Sequence, residues 1–243
     1  MLADEESQAL ENFLASLNQS DKAQIRTTVD ALIALMPIYP GLAARLEHLL
    51  PQTNEEKRWP IAYALAHLPR LSSLALEALL GALDNRDSDI RWAVNLRLVE
   101  LGKRHNQVAA ALTGLVHSGT STQRRMAVYC LRDLDWNDRS ILATLLEALH
   151  DPEPLVRVAA VTSLKGAEIG REATLSLIGI LFHDCDSRVK CAAAITLAYL
   201  GEPAEAIRAA LEEAGRGVNS HVQKACRTAL ELLKKKEPVP PTR

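Results

Sequence analysis

The chain has 243 residues, of which 48% are hydrophobic, 24% charged and only 4% aromatic, and its formal net charge is −2. This is the composition of a folded protein with an aliphatic core. It excludes a whole-molecule basic field for nucleic acid, and no apolar run approaches the roughly 18–20 residues of a membrane span.

The predicted elements recur every 33 residues from the N-terminus onward. Row one carries Phe13 and Leu17 on a first helix, a cap at Asp21, then Ile25, Leu32 and Leu35 on a second. Row two repeats this with Leu46, Leu50, Asn54, Arg58, Leu65 and Leu68, and row three with Leu79, Leu83, Asp87, Arg91, Leu98 and Leu101. Row four has Leu112, Val116, Thr120, Arg124, Leu131 and Leu134; row five has Leu145, Leu149, Glu153, Arg157, Leu164 and Ala167. Rows six and seven follow with Ile178, Phe182, Asp186, Lys190, Leu197, Leu200 and with Leu211, Gly215, Asn219, Gln223, Leu230, Leu233.

Counted from the Arg58-type position as zero, the apolar residues at plus three, seven and ten share one helical face. The residue at minus four can accept a hydrogen bond from the free amides of a first turn in every row but the fifth. There Glu153 is followed by Pro154, which suits the first helical position because its missing N–H is not needed there. Pro60 falls six residues beyond the cap Asn54, where it is expected to kink the second helix of row two. One helix pair has too little core to stand alone, so the pairs must stack. The expected fold is all-α, a right-handed α-solenoid of about seven two-helix repeats, forming a single domain over 4–236 with a disordered tail at 237–243.

The segments Asp151-Pro-Glu-Pro-Leu-Val-Arg-Val-Ala-Ala-Val-Thr-Ser-Leu164 and Asp184-Cys-Asp-Ser-Arg-Val-Lys-Cys-Ala-Ala-Ala-Ile-Thr-Leu197 resemble the HEAT-repeat family, in particular its phycobilisome-lyase-type HEAT-like branch. Asp84 to Leu98 is a looser copy. The resemblance implies that the second helices line a concave face. It does not select a function, since this repeat serves scaffolds, lyase subunits and nucleic-acid enzymes alike.

Candidate chemistry is sparse. The basic column Arg58, Arg91, Arg124, Arg157 and Lys190 lies close to the core leucine on the helix. It reads as a ladder pairing with turn acids such as Asp87, Asp151, Asp184 and Asp186. His117, His150 and His183 end three successive first helices. Stacked helices stand about 8–10 Å apart, too far for three imidazoles to share a metal easily, so they are expected to cap helix carbonyls. Cys130, Cys191 and Cys226 sit in Ala/Val-rich stretches and are expected to be buried, with Cys185 more exposed in a turn. No CxxC pair, GxGxxG, P-loop or GxSxG occurs. Deoxyhypusine hydroxylases use His-Glu pairs on HEAT repeats to hold iron, and this sequence has no His-Glu dipeptide. No catalytic residue, metal or cofactor is expected. The acidic, amphipathic start MLADEESQALENF lacks the pattern of a signal peptide, and with scattered thiols the expected location is the cytoplasm.

One surface signal stands out. Plus one, plus five and plus twelve lie about 120–160° around the helix from the core leucine, taking 100° per residue. They hold Trp59, Tyr63 and Arg70 in row two, Trp92, Leu96 and Lys103 in row three, and Arg125, Tyr129 and Trp136 in row four. These columns contain five of the chain's seven Trp and Tyr residues, where uniform scatter would place fewer than one. Trp, Tyr and Arg dominate binding hot spots. The expectation is a non-catalytic scaffold or adaptor that binds a protein or peptide with an acidic or aromatic segment on its concave face. The alternatives are a bilin-attaching, phycobiliprotein-lyase-like subunit and a nucleic-acid-binding HEAT-like protein; the negative net charge argues against the latter.

Overall fold

The computed structural model describes residues 2–19, 21–134, 138–165, 170–200 and 204–236. Among the described residues there are fourteen α-helices and no strand, as the 33-residue register predicts. The expected tail at 237–243 lies outside them. The chain divides into two compact units, Met1–Leu115 and Val116–Arg243.

The first unit holds α1 (Leu2–Gln19), α2 (Lys22–Leu35), α3 (Pro40–Leu49), α4 (Trp59–Leu65), α5 (Ser73–Ala82) and α6 (Ser88–Gly102). Helix α7 (Asn106–Ser118) straddles the division. The second unit holds α8 (Ser121–Leu134), α9 (Arg139–Glu147), α10 (Pro154–Ser163), α11 (Gly170–His183), α12 (Ser187–Leu200), α13 (Ala204–Ala214) and α14 (Ser220–Lys236). Odd and even helices are the first and second members of the seven rows.

Packing obeys the rows. In the second unit α8 packs on α10, α10 on α12 and α12 on α14, each second helix against the next, while α11 packs on α13. In the first unit α2 packs on α4, and α4 also meets α3 and α5. Within each unit, contacts between elements two apart in the chain mark stacked helix pairs, in which a row buries its apolar face against the next. Leu32, Leu65, Leu98, Leu131, Leu164 and Leu197 are accordingly buried. Leu230 departs from the expected column and is half-buried. Helix α14 packs through Val222, Cys226, Ala229 and Leu233, which leaves Leu230 at the edge of the buried stripe.

The caps fall where the minus-four column places them. Asp21, Asp87, Asp186 and Asn219 accept from the amides of Ala23, Asp89, Arg188 and His221 at 2.9, 2.9, 2.8 and 3.0 Å. Thr120 and Gln123 close a reciprocal capping box, amide to side chain in both directions, at 3.0 and 3.2 Å. Glu153 makes no cap with its side chain, and Pro154 opens α10 instead.

Row two corrects one expectation. Asn54 does accept from the Glu56 amide at 3.0 Å. The segment it opens, however, is a 3-10 turn, Glu55–Lys57, and the α-helix starts afresh at Trp59 with Pro60 in its first turn. Pro60 therefore does not kink a long helix. It restarts a short one, because the first turn is the place where a residue without an N–H leaves no backbone bond unmade.

Candidate binding surface

The basic column is an inter-row ladder in the second unit. Arg124 grips Asp151 with Nε and Nη2 at 2.7 and 2.8 Å, and Arg157 grips Asp184 in the same way at 2.7 and 2.8 Å. Each aspartate also accepts its own turn's amide, from Glu153 and Asp186, at 2.8 Å. Burial pushes both carboxyls up, but the guanidinium and the amide together hold them below the usual carboxylate range. Among the described residues the remaining members meet carbonyls rather than acids. Arg58, Arg91 and Lys190 donate to the carbonyls of Thr53, Asn85 and Phe182 at 2.9, 2.6 and 2.7 Å. Asp87 and Asp186, expected as rungs, meet Lys22 and Arg188 instead. Twenty-seven residues after Arg91 stands Ser118, so row three has no carboxylate to grip.

The histidine row stays apart. His117 faces Glu147 at 3.6 Å, His150 ends a 3-10 turn (Ala148–His150), and the His183 ring lies 6.2 Å from Phe182. Among the described residues no group of three or more His, Cys, Asp or Glu is placed to hold a metal ion. Cys130 and Cys226 are buried, Cys191 is half-buried and Cys185 exposed.

The aromatic columns differ in exposure. Trp92 is 45% and Leu96 66% exposed, one turn apart on α6. The opposite face of the same helix buries Val94, Leu98 and Leu101. Arg70 and Lys103 are exposed. Trp59 and Tyr63 on α4 are half-buried, and the Tyr63 ring leans on His67 at 5.2 Å. On α8, Arg125 and Tyr129 are half-buried, and the Arg132 guanidinium lies 5.2 Å from the Tyr129 ring centroid. Trp136 lies outside the described residues.

Two features of the first unit escape a reading by helical angle. Arg97 on α6 is buried; it donates to the carbonyl of Ala66 at the end of α4 and pairs with Glu100 at 2.5 Å. Its signal lies in the plus-six column, which runs Ala31, Ala64, Arg97, Cys130, Ser163, Thr196, Ala229. One arginine among small residues at a buried position needs a polar partner. His67 sits among the same groups. Burial lowers its pKa, the hydrogen bond to the Tyr63 carbonyl at 2.9 Å raises it, Arg97 lowers it, and Glu100 and Asp30 raise it, for a net depression.

These helix pairs, inter-row arginine rungs and capped second helices define a stack of two-helix α-repeats, and within it residues 121–198 match the family of HEAT repeats. Among solved structures, the X-ray structure of the Escherichia coli protein YibA superposes with a TM-score of 0.54 at 14% identity, over 96% of this chain and 97% of that one. Human deoxyhypusine hydroxylase in complex with glycerol matches at 14% identity over 95% and 97% of the two chains, with a TM-score of 0.44. A designed armadillo repeat protein matches at 17% identity over 91% and 98%, with a TM-score of 0.40. At these identities the likeness is one of fold. No curated protein matches the sequence. Among the described residues no helix is long and apolar enough to cross a membrane.

Proposed function

We propose that this protein is a non-catalytic binding module. It holds a segment of another protein on the outward face of its second helices, centred on Trp92 and Leu96 of α6 and flanked by Trp59, Tyr63, Arg70 and Lys103. In the sequence the 33-residue register runs unbroken over residues 4–236, and Arg125, Tyr129 and Trp136 fall in the same columns in row four.

The observation that carries this reading is the pairing of Trp92 with Leu96. Two large apolar side chains stand exposed on a helix that buries Val94, Leu98 and Leu101 behind them. Water is a poor environment for an adjacent indole and isobutyl group, and such a patch is ordinarily covered by something. Trp is also the side chain that most often anchors an interface.

The test is affinity capture by the full chain beside its Trp92→Ala/Leu96→Ser variant, followed by a binding titration with whatever the wild type retains. The variant is expected to lose at least about 2 kcal/mol of affinity while its melting temperature stays near that of the wild type. Equal affinity would remove the face from the reading, and a collapsed melting temperature would make Trp92 a core residue.

A further inference from the structure

The charges around the binding face proposed above name the chemistry of its occupant, provided that the face itself is real. Lys103 stands seven residues after Leu96 and closes α6. Arg70 stands at the same interval from Tyr63, beyond α4, so both rows run from apolar to cationic. The rows are neighbours, because Arg97 of α6 reaches the end of α4 and His67 lies within electrostatic reach of Arg97, Glu100 and Asp30.

The charges on this face are unequal. The side chains of Arg26, Arg70 and Lys103 make no ion pair or hydrogen bond with described residues. Glu100 is already engaged, held by Arg97 at 2.5 Å and by Arg104 at 3.3 Å. Asp30 on α2 is the opposing charge of row one. Along these columns the free cations therefore outnumber the free acids, and two of them, Arg70 and Lys103, stand eleven residues beyond the tryptophan of their own row.

We propose that the occupant is an acidic amphipathic segment of a partner protein. An apolar side chain seats on Trp92 and Leu96, and carboxylates downstream of it meet Lys103 and Arg70. Seven helical residues span about 10 Å, the length of about three residues of extended chain. An extended segment lying along α6 therefore places its carboxylates about three residues beyond its anchor. A basic segment would bring like charges together at the same place.

The test is fluorescence anisotropy of the full chain with a labelled peptide that carries a leucine anchor and, about three residues on, a pair of glutamates. Its lysine-for-glutamate and alanine-for-leucine counterparts and a single-stranded oligothymidylate complete the series. The glutamate peptide is expected to bind at least about fivefold tighter than the lysine peptide. That preference should shrink with added salt and reverse in Arg70→Glu/Lys103→Glu. A lysine peptide that binds as tightly, an oligonucleotide that binds more tightly than any peptide, or no peptide binding at all overturns the proposal. The Trp92→Ala/Leu96→Ser variant separates the two readings. If it weakens every peptide equally and no charge preference exists, the face stands and the acidic partner falls. If it changes nothing, the face itself is refuted.

Discussion

Arg97 on α6 donates through Nη2 to the carbonyl oxygen of Ala66, the residue that closes α4, and so fastens row three to row two. The bond exists because α4 is short. Its last carbonyls lack the intrahelical donors that a longer helix would supply, and a guanidinium is long enough to reach one from the next row. In the corresponding place in row six, Thr196 donates to the carbonyl of Val161 at 3.2 Å.

Replacing Arg97 with alanine should cost about 1–3 kcal/mol, because the Ala66 carbonyl loses its donor in the interior. Arg104→Ala removes only an exposed contact to Glu100 and should stay within about 0.5 kcal/mol of wild type. Urea melts of the two variants compare them directly. Equal losses would mean that the link to Ala66 does not hold the rows together.

Leu131→Ala and Leu164→Ala should each cost roughly 2–5 kcal/mol, since both side chains are fully buried and truncation leaves a void. Leu230→Ala should cost clearly less, because Leu230 is half-buried in the last row. The same denaturation series reads all three.

Acid should weaken the second unit through its ladder. Asp151 and Asp184 have folded-state pKa values below the ordinary carboxylate value. A depressed pKa contributes stability that is fully present above the ordinary value and disappears as pH falls from there through the folded-state value. Asp151→Asn/Asp184→Asn should therefore melt lower than wild type at neutral pH and lose less on acidification. Parallel acid curves for the two proteins would rule the ladder out as the source.

Thiol labelling should proceed in the order of exposure. Cys185 reacts first and Cys191 more slowly, while Cys130 and Cys226 wait for unfolding. Burial drives the Cys130 thiol well above its usual range and the Cys226 thiol up to about 11, so neither forms the reactive thiolate near neutral pH. Mass spectrometry of a time course with a thiol reagent gives the order, and early modification of Cys130 would contradict the packing.

The repeat is legible because caps and leucines recur in columns, and each column reports one local requirement: an acceptor at a helix start, or an apolar group facing the stack. Asn54 reads correctly as a cap, yet the turn it opens is 3-10, since Pro60 makes a fresh helix start easier than a continuous one. Arg97 escapes the columns because helical angle says which way a side chain points, and nothing of what waits there. The same limit separates Trp92 from Trp59. Both occupy plus one, but Trp59 is half-buried and Trp92 exposed, so only exposure in the fold distinguishes the anchor from its counterpart.

Arg124 meets Asp151 and Arg157 meets Asp184 across the same interval of 27 residues. Excising residues 125–157 would bring Asp184 to the place that Asp151 held, and Arg124 would find a carboxylate as before. A deletion of any other length would leave that guanidinium facing the wrong side chain. The size of this unit is thus quantised. A change in length by one whole module would keep an arginine opposite a carboxylate, and Arg124 and Arg157 act as parity checks on such a join.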